Sequence, residues 1–345
     1  MYYKKLSVIL LISFVEIFSQ TQSTSNFRGV IFGDYFYKQK GPTISSTTQY
    51  ADEPSDYNAF EIRRFNLIYQ NDISEEYTLN FLIEANDGTL DSKTRLGFYL
   101  KNAFLEWKNY LPNHNIAIGL VPTPTWVWGY SEKAWGYRSI EKSSPDLRGF
   151  GSPTDFGISL RGKLSEQMNV NYVFTYGNGS GFTSEKNRQK KVYGAINFSP
   201  IQNLTAEVYA DFEENSPKLS SYLIKGLLVY QTEQFSTGMD YALQTKNVTT
   251  LAKVIPASLS VYGKYKIPSE KNLTLVGRFD YFDLDTKVKN IGYSENLIIL
   301  GLDYAPNKNI HFIPNLWVLM NKAKDPNSSE KNSNLIVRVT FQFNF

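Results

Sequence analysis

The chain has 345 residues, no cysteine and a formal charge of +3. These exclude a disulfide framework, thiolate metal sites and a lipid-modified amino-terminal cysteine, and the charge, with no basic block, speaks against nucleic-acid binding. It carries 24 Tyr and 23 Phe at a mean hydropathy of -0.34, a pairing that fits strands apolar on one face and polar on the other.

In chain order, residues 1–23 follow the plan of a secretory signal peptide. Lys4 and Lys5 precede an apolar run from Leu6 to Phe18, broken by Ser13 and Glu16, and a small, polar stretch follows. The run is too short for a membrane-spanning helix, and no later segment approaches the ~20 apolar residues such a helix needs. A membrane crossing would therefore be made by strands. Residues 24–345 are expected to form one domain, an outer-membrane β-barrel.

Alternation predicts sixteen strands. The first eight lie at 27–37, 59–70, 76–86, 98–109, 116–121, 155–164, 169–177 and 191–198. The others lie at 204–212, 222–230, 235–244, 257–266, 273–282, 297–304, 310–320 and 334–345. In the third, Tyr77, Leu79, Phe81 and Ile83 share a face opposite Glu76, Thr78, Asn80 and Glu84. In the second, the adjacent Arg63 and Arg64 cannot both follow the alternation. The expectation is Arg64 and Asn66 inward, with Arg63 on the lipid side near the outer interface, where it costs about 0 to 1 kcal/mol rather than ~2 to 4 at the midplane.

Connections after odd-numbered strands, the ninth included, read as longer than those after even-numbered ones. An all-β, transmembrane, antiparallel up-and-down barrel of about 16 strands predicts that rhythm, with short periplasmic turns and long extracellular loops. The longest interruption, 122–153, is expected to fold into the pore as a constriction. Its candidate residues are Trp126, Trp128, Lys133, Trp135, Arg138, Lys142 and Arg148, with Arg138 and Arg148 expected to meet an anionic solute. The bland reading is an external loop whose Trp residues anchor at the interface and whose charges are solvated.

The last strand, NLIVRVTFQFNF, ends with Phe341, Phe343 and Phe345 on one face. Three terminal aromatics at every second position suit an interfacial girdle and resemble the signal read by the barrel-insertion machinery. Further resemblance lies in FEIRRFNL, in NAFLEWKNYLPNHNIAIGLVPTP and in YRSIEKS with the following DFGISLRGKL. Over residues 27–212 the chain resembles the phosphate-selective porin O and P family. The resemblance implies sixteen strands, an infolded third loop and a lumen lined by arginines and lysines.

The predicted pore-lining cations are Arg64, Arg161, Lys163, Lys191, Lys225, Lys264, Lys266, Arg278 and Arg338, with Arg28 on the same parity. Inward carboxylates, among them Asp34, Glu84, Asp155, Glu207, Asp211, Asp240 and Asp280, almost match them, so only mild anion preference is expected. No cofactor, metal or catalytic set can be assembled: the two histidines, His114 and His311, fall beside short turns, and GNGSG and EANDGTLDSK read as hairpin loops. Tyr193, Tyr209, Tyr262 and Phe282 also face inward and could fill the lumen. The expected function is passive diffusion of small hydrophilic or anionic solutes, with outer-membrane lipid as the surroundings and a homotrimer as the assembly. The alternative is a non-conducting barrel that binds a partner or serves a larger transport or secretion assembly.

Overall fold

The computed structural model describes residues 24–43, 48–86, 96–165, 167, 169–216, 219–249, 252–269, 271–327 and 331–345. The signal segment at 1–23 and most of EANDGTLDSK lie outside the described residues.

The strands are β1 (Thr24–Lys40), β2 (Asn58–Asp72), β3 (Tyr77–Asn86), β4 (Tyr99–Leu111), β5 (His114–Pro122) and β6 (Thr154–Ser165). Then come β7 (Val170–Gly177), β8 (Lys191–Ile201), β9 (Leu204–Ser216), β10 (Leu219–Gln231), β11 (Phe235–Asn247) and the two-residue β12 (Lys253–Val254). The last are β13 (Ala257–Ile267), β14 (Leu273–Asp283), β15 (Tyr293–Asn307), β16 (Ile310–Ala323) and β17 (Lys331–Asn344). Each long strand pairs antiparallel with the next, and β1 pairs with β17, with Asp34 opposite Thr340. Because β11 pairs directly with β13, β12 stands outside a closed barrel of sixteen strands. Closure leaves no open edge, the condition for a sheet to cross lipid.

The outward column is apolar throughout: Leu160, Phe174, Ile196, Val208, Ile224, Met239, Val261 and Phe279 are all exposed. Tight turns such as 112–113 and 202–203 place Asn113 and Asn203 at φ 66° and 67°, left-handed angles that asparagine tolerates better than most residues. One expected loop is missing: β9 continues to Ser216 and β10 starts at Leu219, so this hairpin extends past the predicted strands instead of opening into a long connection.

The arginine pair is also resolved differently from the sequence expectation. Across β1 and β2, Phe32 faces Arg64 while Gly33 faces Ile62, so Arg63 is an extra residue in a β-bulge. The bulge resets the alternation, and both guanidiniums enter the lumen, Arg63 only 3 % exposed. A second bulge, between Leu82 opposite Asn102 and Ile83 opposite Leu100, turns Lys101 and Asn102 inward together.

Candidate functional site: a loop folded across the lumen

The third loop, 123–153, leaves β5 and returns to β6 with its base closed by Thr123, whose N–H donates to the Pro153 carbonyl (3.0 Å) and whose hydroxyl donates to that of Ser152 (2.6 Å). It contains two short helices, α1 (Ser131–Trp135) and α2 (Ser144–Leu147). Gly136 ends α1 at φ 70°, donating back to the Glu132 carbonyl, the left-handed cap that glycine adopts without steric cost.

One side of the loop is seated on apolar wall. Trp135, Ile140 and Leu147 pack into a buried cluster with Leu297, Ile299, Ile313, Trp317 and Ile336 from β15, β16 and β17. These wall positions face inward yet are hydrophobic, so this half of the lumen is a dry core. The first loop joins it: Tyr50 stacks on Phe36 at 3.7 Å between centroids, and Lys38 donates to the carbonyls of Pro42, Ala51 and Glu53.

Polar clamps fix the loop to the wall around it. Arg63 donates to the Ser139 carbonyl, Arg338 to that of Ile140 (2.9 Å), Arg278 to that of Lys142 (2.6 Å) and Lys264 to that of Ala134 (3.0 Å). Glu207 accepts from the Tyr130 N–H (2.7 Å), and Gln244 donates to the Phe150 carbonyl (3.0 Å). Loop carbonyls left without partners inside the barrel would be costly, and wall cations satisfy them.

All nine predicted pore-lining cations face inward, but most are occupied. Arg338 holds Asp34 (3.1 Å), Arg278 holds Asp280 (2.5 Å), Lys225 holds Glu207 (2.7 Å), Lys191 holds Asp211 (3.1 Å) and Arg64 holds Glu84 (3.3 Å). These five are buried, so they brace the structure more than they meet a solute. Arg161 pairs with Glu106 and lies over the Trp128 ring at 4.4 Å. Lys163 lines a cavity with it, while Lys264 and Lys266 line a smaller one beside His311.

In the loop, Trp126 and Trp135 are buried; Trp135 donates to the Glu141 carbonyl (2.7 Å). Trp128 meets Phe104 edge-on at 5.5 Å. Lys133 is exposed above Tyr130, 5.0 Å from its ring. Arg138 and Arg148, expected to meet an anion, pair instead with Asp146 (2.9 Å) and Glu295 (2.5 Å), because each sits within reach of a carboxylate placed by the fold. Lys142 contributes its carbonyl to the clamp described above.

Sequence reading missed Lys101, which shares Glu84 with Arg64 (2.6 Å), and the inward turn of Arg63. It also missed the dry core, whose signal was present: NLIIL in β15 and LWVL in β16 are apolar on both faces, as in a strand buried on both sides. His114 meets the Tyr172 hydroxyl (3.1 Å), and His311 meets Asp303 (3.0 Å), which also accepts from Tyr137 (3.0 Å).

Away from the apolar seat, space is left along β5 to β11. Toward the long loops lies a cavity of 570 Å³ bordered by Lys191, Glu213 and Lys246; toward the short turns lies one of 620 Å³ bordered by Lys133, Arg161 and Lys163. Between them Thr125 shares a hydrogen bond with the Tyr209 hydroxyl (3.0 Å). The geometry is that of two vestibules divided by a strap.

No protein-family model matches the chain, and its sequence matches no curated protein. Solved structures do resemble it. OprB of Pseudomonas putida aligns at 9 % identity and TM-score 0.67, over 93 % of this chain and 94 % of that one. The outer-membrane channel DcaP of Acinetobacter baumannii aligns at 12 % and 0.64, over 95 % and 99 %. An anion-selective porin from Comamonas acidovorans aligns at 13 % and 0.62, over 94 % and 100 %. At such identities the likeness shows the fold, and the fold is that of outer-membrane porins.

Proposed function

We propose that this chain is an outer-membrane porin through which small hydrophilic solutes diffuse, with a mild preference for anions. The carrying observation is the third loop, held inside a closed barrel by backbone and apolar contacts, with a polar vestibule on either side. A loop that only capped the barrel would not need four wall cations bonded to its carbonyls. The short turns then face the periplasm and the long loops the exterior, and charges of both signs near the strap, Arg138, Asp146 and Glu132, set a weak filter rather than a strong one. The structural neighbours, which include an outer-membrane channel and an anion-selective porin, support the reading. Single-channel recording of the refolded protein under a salt gradient tests it. Ohmic steps with a small anion-selective reversal potential are expected; a folded barrel that never conducts would refute it.

The contact of Thr125 with Tyr209 and the dry half of the lumen favour one second reading, a closed barrel that binds a partner. The same recording separates the two. Assembly as three copies is a further proposal, checked by crosslinking in native membranes.

A further inference from the structure

Behind the strap, Asp240 of β11 and Ser258, Ser260 and Tyr262 of β13 are turned inward and buried, Asp240 only 3 % exposed. Asp240 stands opposite Ser260, and Ser260 opposite Asp280 of β14, so the three form one row across the wall. Leu227 and Leu297, opposite Asp240 and Asp280, close the row at its ends. Gly238 has no side chain, and the Tyr262 ring lies against it: a Cβ there would fall 2.6 Å from the hydroxyl oxygen. The Tyr262 hydroxyl is thereby brought beside β11, two residues before Asp240.

The oxygens gathered here are short of partners. Among the described residues, Asp240 Oδ1 and the hydroxyls of Ser258, Ser260 and Tyr262 have no hydrogen-bond partner. Charge is unbalanced as well. Lys225 pairs with Glu207 (2.7 Å) and Arg278 with Asp280 (2.5 Å), and Asp240 is the carboxylate left over beside these two pairs. A buried carboxylate needs both a compensating charge and bonds to its oxygens. A proton on Asp240 would cancel the charge but leave the three hydroxyls unpartnered. Water alone would bond the oxygens but leave the charge. One hard cation meets both needs, because oxygen lone pairs are its preferred ligands.

We infer that Asp240 Oδ1 and the Ser260 hydroxyl hold one alkali cation, sodium or potassium, with the flanking hydroxyls of Ser258 and Tyr262 completing its shell directly or through water. One uncompensated carboxylate calls for one monovalent ion, and every ligand offered is oxygen. The site lies against the strap: Ser131 of α1, which accepts from Lys225 (2.6 Å), neighbours Asp240, and Trp135 meets Tyr262 edge-on at 5.6 Å. Binding therefore steadies α1 in its place. Such a site needs only the closed barrel and its infolded loop, and stands whether or not the pore conducts.

The test follows thermal unfolding of the purified, detergent-solubilised barrel at neutral pH while choline chloride is progressively replaced by NaCl or KCl at constant ionic strength. The midpoint is expected to rise with the logarithm of the sodium or potassium concentration, as for a ligand that binds only the folded state. Asp240→Asn should abolish that rise and melt no lower than the parent in choline chloride. Ser260→Ala keeps the carboxylate and should need about tenfold more of the cation for the same rise, the scale of loss when one partner of a metal site is removed. This second variant carries the test if the first does not fold. A midpoint unmoved by the replacement of choline would overturn the site, as would a cation effect that persisted undiminished in either variant. A gain from Asp240→Asn that followed pH but not the cation would put a proton there instead.

Discussion

Arg63 and Arg338, from strands at opposite ends of the chain, donate to the consecutive carbonyls of Ser139 and Ile140 and share one counter-ion, Asp34. The seam where β1 meets β17 is therefore also the anchor of the lumen strap. Asp34 accepts further bonds from Tyr50 (3.0 Å) and Thr340 (2.5 Å), so seam, first loop and third loop meet at one carboxylate.

Replacing Arg338 by Ala should destabilise the barrel by about 3 to 5 kcal/mol, because it removes a partner of a buried charge. Arg338→Lys, which keeps a cation beside Asp34, should lose much less. Urea unfolding in lipid vesicles measures both, and an alanine variant no weaker than a surface lysine change would disprove the anchor.

Val208 lies midway along β9 on the outer face and is 56 % exposed. Val208→Arg should cost about 2 to 4 kcal/mol, the penalty for arginine on the lipid face at the midplane. The same vesicle assay reads it; a shift near zero would mean that this level of the barrel does not lie deep in lipid.

Trp128 stands between Phe104 and Arg161 at the edge of the turn-side vestibule. Trp128→Ala should widen the passage and raise single-channel conductance, at a stability cost below the ~3 to 5 kcal/mol of a fully buried Trp, since this one is half-buried. An unchanged conductance would place the narrowest point elsewhere.

Glu141 is buried in the strap, with one carboxylate oxygen lacking a hydrogen-bond partner. Burial pushes its pKa up, against the opposing pull of Lys142, Arg278 and Arg338. An acid whose folded pKa is raised weighs against folding only when ionised: the penalty is absent below the ordinary carboxylate range and complete above the folded value. Glu141→Gln should therefore match the parent in acid and become progressively more stable than it as pH rises. Melting temperatures across pH 3 to 8 give the comparison, and a gap that narrowed with rising pH would contradict it.

Phe345 closes the chain, its N–H and carbonyl paired with Gly29. We propose that its ring serves recognition by the insertion machinery. Phe345→Ala should lower the amount of barrel reaching the outer membrane in cells while leaving the unfolding midpoint of purified barrel within about 0.5 kcal/mol of the parent. Equal losses in both assays would make the residue structural.

The strands were legible because lipid outside and water inside impose a period of two that few other environments would produce over so many segments. The strap's entry was legible from its length and its Trp-rich composition. Lys264, Arg278 and Arg338 were readable as inward-facing but not as occupied, since each has a loop-carbonyl partner whose position only the fold fixes. Arg63 was placed on the wrong side because a bulge shifts parity at one residue, and the doubled arginine was its sole trace. Leu297, Ile299 and Trp317 were passed over because an inward face was expected to be polar.

The seat formed by Trp135, Ile140 and Trp317 gives this barrel an unusual response to cold. Apolar contact made by displacing water weakens on cooling, whereas the arginine clamps do not depend on that source. Chilling should loosen the strap at its seat while its anchors hold, so fluctuations of the open current would increase toward 0 °C rather than freeze out.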